Sequence, residues 1–125
     1  MKIQQIFLLS AAVGLTPIAL SYGLFPAKSL AFFFDIDAAA TNTTHIFRAV
    51  MGLYLALVIF WVKGATREHL LVPALYSLVV FMLGLAAGRF LSLVVDGVPN
   101  WLLVVYMFLE IGFGAVGIYM IKKST

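Results

Sequence analysis

Cysteine is absent from the 125 residues. Disulfides, thiolate nucleophiles, iron–sulfur clusters and cysteine-rich zinc sites are therefore excluded. Charge is scarce as well, at 10% Asp, Glu, Lys and Arg, whereas about a quarter of the residues of a soluble domain are charged. So few charges cannot coat a globule in water. No basic tract is dense enough for nucleic acid, and linkers, low-complexity runs and internal repeats are lacking. What fills the chain is apolar: 64% of residues are hydrophobic and the mean hydropathy is +1.12. The solvent for most of this surface is expected to be lipid. The length allows one compact transmembrane domain over 1–125 and is too short for a bundle plus a soluble domain.

Four apolar stretches stand out, at about 6–25, 44–62, 71–95 and 101–121. Each has roughly the 20 residues that a helix needs to cross a hydrocarbon core of about 30 Å. The dyad alternation of a barrel is missing, so the expected fold is all-α, an integral membrane four-helix bundle. The first stretch carries Lys2 before its apolar run and a small-x-small site at Ser29-Leu30-Ala31. That site lies far beyond the run, so the stretch is expected to be a retained helix and not a cleaved signal. Lys2, Lys63, Arg67, Lys122 and Lys123 fall on one side of the bundle, against Lys28 and Asp96 on the other. The positive-inside bias then places both chain ends in the cytoplasm.

The outer connections differ in kind. Asp96-Gly97-Val98-Pro99-Asn100 reads as a tight turn, making the third and fourth spans an antiparallel hairpin. Residues 26–42 hold Leu30-Ala31-Phe32-Phe33-Phe34 followed by Asp35 and Asp37. They read either as a short helix or reentrant arm lying in the outer interface, aromatics toward lipid and aspartates toward water, or as a partly ordered loop resting on the bundle. Asn42-Thr43-Thr44 matches a glycosylation sequon, but capping of the second span is the expected role. Gly84 and Gly88, four apart with Ala87 beside them, predict a close helix contact on the third span.

Arg48, Arg89 and Glu110 are the strongly charged residues inside the spans, with His45 and Asp96 near the outer ends. A central charge costs about 2.5–3.5 kcal/mol on insertion scales, so such residues face a bundle or a wet cavity and need partners. Counted at about 1.5 Å per residue, Arg48 and Arg89 lie roughly 9–10 Å below the outer surface and Glu110 roughly 15 Å below it. His45 and Arg48 share a face, as do Arg89, Ser92 and Asp96, and Tyr106 and Glu110. Pointed inward, these seven line an outward-opening polar pocket with Glu110 at its floor, and Arg89–Glu110 is the preferred ion pair. Two arginines exceed the one deep acid, which invites a lipid phosphate or carboxylate. Two other readings stand beside this one: a static Arg89–Glu110 pair that fixes helix register, and an Arg48 that snorkels to headgroups. A metal on His45, Asp96 and Glu110 is disfavoured, because the arginines repel cations. His69, beside Arg67 and Glu68, is expected in solvent.

Thr44-His45-Ile46-Phe47-Arg48-Ala49-Val50-Met51-Gly52-Leu53-Tyr54-Leu55-Ala56, the run from Phe81 to Arg89, Asp96-Gly97 and Trp101 resemble a bacterial family of small four-helix inner-membrane proteins, catalogued only as a domain of unknown function. The resemblance covers most of the chain and implies a multi-pass protein of the bacterial inner membrane, without implying an activity. From the residues, a non-catalytic module is expected, one that binds lipid or another amphiphile, or joins a membrane-protein partner or further copies of itself. It needs no cofactor and does not bind nucleic acid. A small proton-coupled transporter using Glu110 and an intramembrane lipid-modifying enzyme are the alternatives. Against the first, small multidrug exporters carry their glutamate in the first helix, not the fourth. Against the second, nucleophile–base pairs, metal motifs and phosphate loops are missing.

Overall fold

In the computed structural model, residues 2–124 are described, and all their regular structure is helical. The helices are α1 Ile3–Gly23, α2 Pro26–Phe34, α3 Thr41–Thr66, α4 Glu68–Val95 and α5 Trp101–Ser124. α1, α3, α4 and α5 are each long and apolar enough to cross a membrane. α1 lies mainly along α3, α3 along α4 and α4 along α5, while α1 meets α5 over a short stretch only. The α3–α4 link is one extended residue, Arg67, which makes those helices antiparallel neighbours.

The long helices run past the apolar stretches because polar residues at each end remain in helical conformation outside the apolar run. α3 begins at Thr41 and continues to Thr66, so Asn42, Thr43 and Thr44 are helical residues. Capping by them is not what the chain does. Ala40 is the N-cap, with no side-chain cap bond, and Thr44 Oγ1 instead donates to the Ala38 carbonyl at 3.1 Å.

The segment after α1 is the short helix and not the loop. Pro26 occupies its first turn, where a missing N–H costs nothing. Asp35 ends it in the left-handed region at φ 57°, a conformation that Asp tolerates better than bulkier residues do. Pro26, Leu30 and Phe34 are buried, whereas Phe32 is 81% exposed and Phe33 45%. The spacing of the buried set, four and four, is one face of a helix.

Trp61, Leu8, Leu30, Leu75 and Leu78 are fully buried. Trp61 Nε1 donates to Ser77 Oγ at 3.1 Å, and that hydroxyl donates to the Ala74 carbonyl at 2.7 Å, so the polar edge of the indole is satisfied inside the packing. At the end opposite α2, Lys2 Nζ pairs with Glu68 at 3.1 Å and Gln4 Nε2 donates to Ser124 Oγ at 3.1 Å. The Lys2–Glu68 pair is well exposed and contributes little.

The close approaches are made by other glycines than Gly84 and Gly88. Those two have nothing within 4 Å of where a Cβ would sit, so the expected contact on α4 is not formed. Gly114 and Gly117 on α5 instead receive Leu83 and Val79 of α4, and Gly64 on α3 meets Ala74 of α4. A small residue marks a close approach only where a neighbouring helix packs against it, and α3 and α5 pack against other faces of α4 than the one that carries Gly84 and Gly88. α4 offers its large side chains to α5 and leaves its own glycines uncovered.

Candidate functional site

α4 and α5 run antiparallel through the turn 96–100. Asn100 Oδ1 accepts the Leu102 N–H at 3.0 Å, which fixes the start of α5, and Gly97 takes φ 99° in the turn. This hairpin sets Arg89 opposite Glu110. Arg89 Nε donates to Glu110 Oε1 at 2.8 Å, with side-chain exposures of 22% and 10%. The expected ion pair is therefore formed. Tyr106, one turn before Glu110, lies under the guanidinium, its ring centroid 5.8 Å from Arg89 Cζ, in the range of a cation–π contact.

Aromatic side chains from every other element close around the pair. Tyr22 of α1 sits beside the Arg89 guanidinium. Its ring stands 5.8 Å from Phe34, 5.9 Å from Phe47 and 5.7 Å from Tyr54. Phe34 of α2 in turn stands 6.0 Å from Tyr106. Tyr22, Phe34 and Tyr54 are all buried. The short helix α2 thus supplies one wall of the charged site.

The remaining candidates lie elsewhere. His45 and Arg48 are exposed, on the side of α3 opposite the buried Tyr54 and Trp61. Neither makes a hydrogen bond or ion pair to a described residue. The inward-pointing set of seven is therefore not formed as expected: Arg89, Tyr106 and Glu110 come together, Ser92 lines a groove beside Arg89, and His45, Arg48 and Asp96 lie outside. Sharing a face puts His45 with Arg48 but does not say whether that face of α3 packs against another helix. Ser92 and Asp96 do pair, Ser92 Oγ donating to Asp96 Oδ2 at 2.6 Å, on the exposed outer turns of α4. His69 is exposed with Arg67 and Glu68, as expected. Among the described residues, no three His, Cys, Asp or Glu side chains converge as metal ligands would.

Two cavities meet at Arg89. A groove of about 360 Å³ runs between α4 and α5, lined by Gly84, Gly88, Arg89, Ser92, Pro99 and Leu103 among others. A smaller void of about 80 Å³ lies on the far side of the pair, lined by Leu15, Tyr54, Met82, Arg89, Glu110 and Phe113 among others. The larger one exists because Gly84 and Gly88 leave their side of α4 bare.

Residues 3–121 match the model of one protein family, DUF4345, a domain of unknown function. The chain belongs to the DUF4345 family. The DUF4345 match spans all four long helices and α2, and contains each residue of the charged site. No curated protein and no solved structure matches the chain. Membership in DUF4345 carries no activity with it, so function has to be read from the groove and the pair.

Proposed function

We propose that this protein is a four-helix module of the bacterial inner membrane that holds a lipid or other amphiphile, without catalysis, in the groove between α4 and α5. The supporting observation is the form of that groove: about 360 Å³, within the range of about 300–1,000 Å³ typical of ligand pockets, with apolar walls and one cationic side chain. In a bilayer such a groove opens sideways to lipid, and amphiphiles can enter without crossing water. A lipid retained there, or a helix of a membrane-protein partner or second copy, completes the packing that Gly84 and Gly88 leave open. A proton-coupled carrier has less support, because Glu110 is bonded to Arg89 and is not free to shuttle. The enzyme reading has none, since Arg89, Glu110 and Tyr106 include no nucleophile set against a base.

Gly88→Leu tests the groove directly. Nothing lies within 4 Å of a Cβ at this position, so the side chain extends into the groove without displacing backbone. Wild-type protein extracted in mild detergent should carry a bound amphiphile visible by native mass spectrometry, and Gly88→Leu should lose it while melting at an unchanged or higher temperature. Equal retention by both would end the proposal.

Both chain ends belong in the cytoplasm on this reading, from the basic residues Lys2, Lys63, Arg67, Lys122 and Lys123. α2 then lies at the periplasmic surface, with Phe32 and Phe33 in the aromatic-rich interfacial layer. The cysteine-free chain gives a clean background for labelling. A membrane-impermeant thiol reagent applied to spheroplasts should modify Asp96→Cys and leave Arg67→Cys untouched until the cells are lysed. The reverse pattern would invert the topology.

A further inference from the structure

We infer that the head bound in the α4–α5 groove is neutral and rich in hydrogen-bond acceptors, a carbonyl- or hydroxyl-bearing single-chain lipid, and not an anion. The inference rests on the amphiphile reading above and assigns the chemistry of its ligand.

Charge decides the first half. Arg89 and Glu110 cancel across 2.8 Å. The other arginine that argued for a surplus of positive charge, Arg48, is exposed on α3 and does not line the groove. The next ionisable group along α4 is Asp96, an acid, held by the Ser92 hydroxyl at the outer end of the groove. A phosphate or carboxylate entering here would give up its hydration against a pair that is already neutral, with another acid near the mouth. That desolvation is uncompensated.

Hydrogen-bond capacity decides the second half. A guanidinium has five N–H donors and no acceptor, and even a forked bond to a carboxylate uses two of them. Glu110 is the described hydrogen-bond partner of Arg89, and the Tyr106 ring faces its guanidinium. No fully buried side-chain nitrogen or oxygen among the described residues lacks a partner. The remaining N–H nitrogens of Arg89 are therefore not fully buried, and the side chain lines both the groove and the smaller void. In a lipid-filled groove these donors need acceptors, which a carbonyl or hydroxyl oxygen supplies without bringing charge. Ser92 already donates to Asp96, so its oxygen remains able to accept from a hydroxyl head.

The walls orient the guest. Ser92 and Pro99 mark the outer end of the groove and Gly84 and Met107 the inner end. A head at Arg89 and Ser92 sends its chain inward past Gly84, the direction of a lipid in the outer leaflet.

Delipidated wild-type protein in a nonionic detergent would be titrated with three probes of equal chain length and read by native mass spectrometry: a monoacylglycerol, the corresponding fatty-acid anion and the alkane. The monoacylglycerol should bind about tenfold or more tighter than either of the others, the scale of a hydrogen bond to a charged donor. In the double variant R89L/E110L the monoacylglycerol should bind no tighter than the alkane, because the chain contacts remain and the donors are gone. Tighter binding of the anion, or a monoacylglycerol preference that survives R89L/E110L, would overturn the neutral head while leaving an amphiphile site in place. Binding of none of the three by wild type would remove the site itself.

Discussion

Replacing Glu110 by leucine alone should lower the stability of the protein by about 3–5 kcal/mol, whereas R89L/E110L should match the wild type or exceed it. The reason is the position of the pair. Glu110 is 10% exposed and Arg89 22%, and both lie among aromatic rings. Desolvating two such charges costs roughly as much as their attraction returns, so removing both is close to neutral. Removing one leaves the other with a cost and no return. The two single variants should also differ. In Arg89→Leu the orphaned carboxyl can take up a proton and become neutral. In Glu110→Leu the orphaned guanidinium cannot lose its charge, so this variant should be the less stable of the two. Reversible unfolding of all four proteins in mixed micelles closes a double-mutant cycle. Additive losses would mean that the pair is solvated in the membrane and does not hold α4 against α5.

Arg89–Glu110 was legible in the sequence because three independent features converge on it. The tight turn at 96–100 makes a hairpin, a helix rises a fixed distance per residue, and a charge in lipid requires a partner. His45 and Arg48 were misplaced for an equally physical reason. In water the covered face of a helix is its apolar one, but in lipid a face with polar residues near a helix end can stay uncovered and reach the headgroup layer, so a polar face is not necessarily a packed one. The aromatic wall was illegible as well. Tyr22, Phe34 and Tyr54 look like any other aromatics in apolar runs, and only the packing of α1, α2 and α3 against one another and against the α4–α5 hairpin brings them around the pair. α2 was legible in part: a short helix and a loop both fit residues 26–42, and Phe34, expected toward lipid with Phe32 and Phe33, is buried with Pro26 and Leu30 on one helical face. Its role as part of the site, beyond covering an interface, needed the 6.0 Å approach of Phe34 to Tyr106.

The glycines give the second large effect, and a ranking that sequence alone inverts. Gly64→Ala should destabilise the protein by about 1–3 kcal/mol, the range for forcing extra volume into a filled site. A Cβ at this position would collide with Ala74 and come within 3.1 Å of the Leu70 carbonyl oxygen. Neither can yield, since one is a short side chain on the facing helix and the other is backbone, and the single-residue link at Arg67 leaves α3 and α4 little freedom to separate. Gly114→Ala should cost less, because the tip of Leu83 can change rotamer, and Gly117→Ala should fall between, because the β-branched Val79 is held to one rotamer in a helix. Gly23→Ala should cost about as much as Gly64→Ala, because the atom it would collide with is the Met51 Cβ, which the backbone of α3 holds in place. Gly84→Ala should do the opposite. Its Cβ enters open space, and exchanging glycine for alanine within a helix gains up to about 1 kcal/mol. Melting temperatures of the five variants in one detergent would check the order. If Gly84→Ala proved as damaging as Gly64→Ala, the bare side of α4 would be covered in the membrane by another helix, and the groove would be a protein interface and not a lipid site.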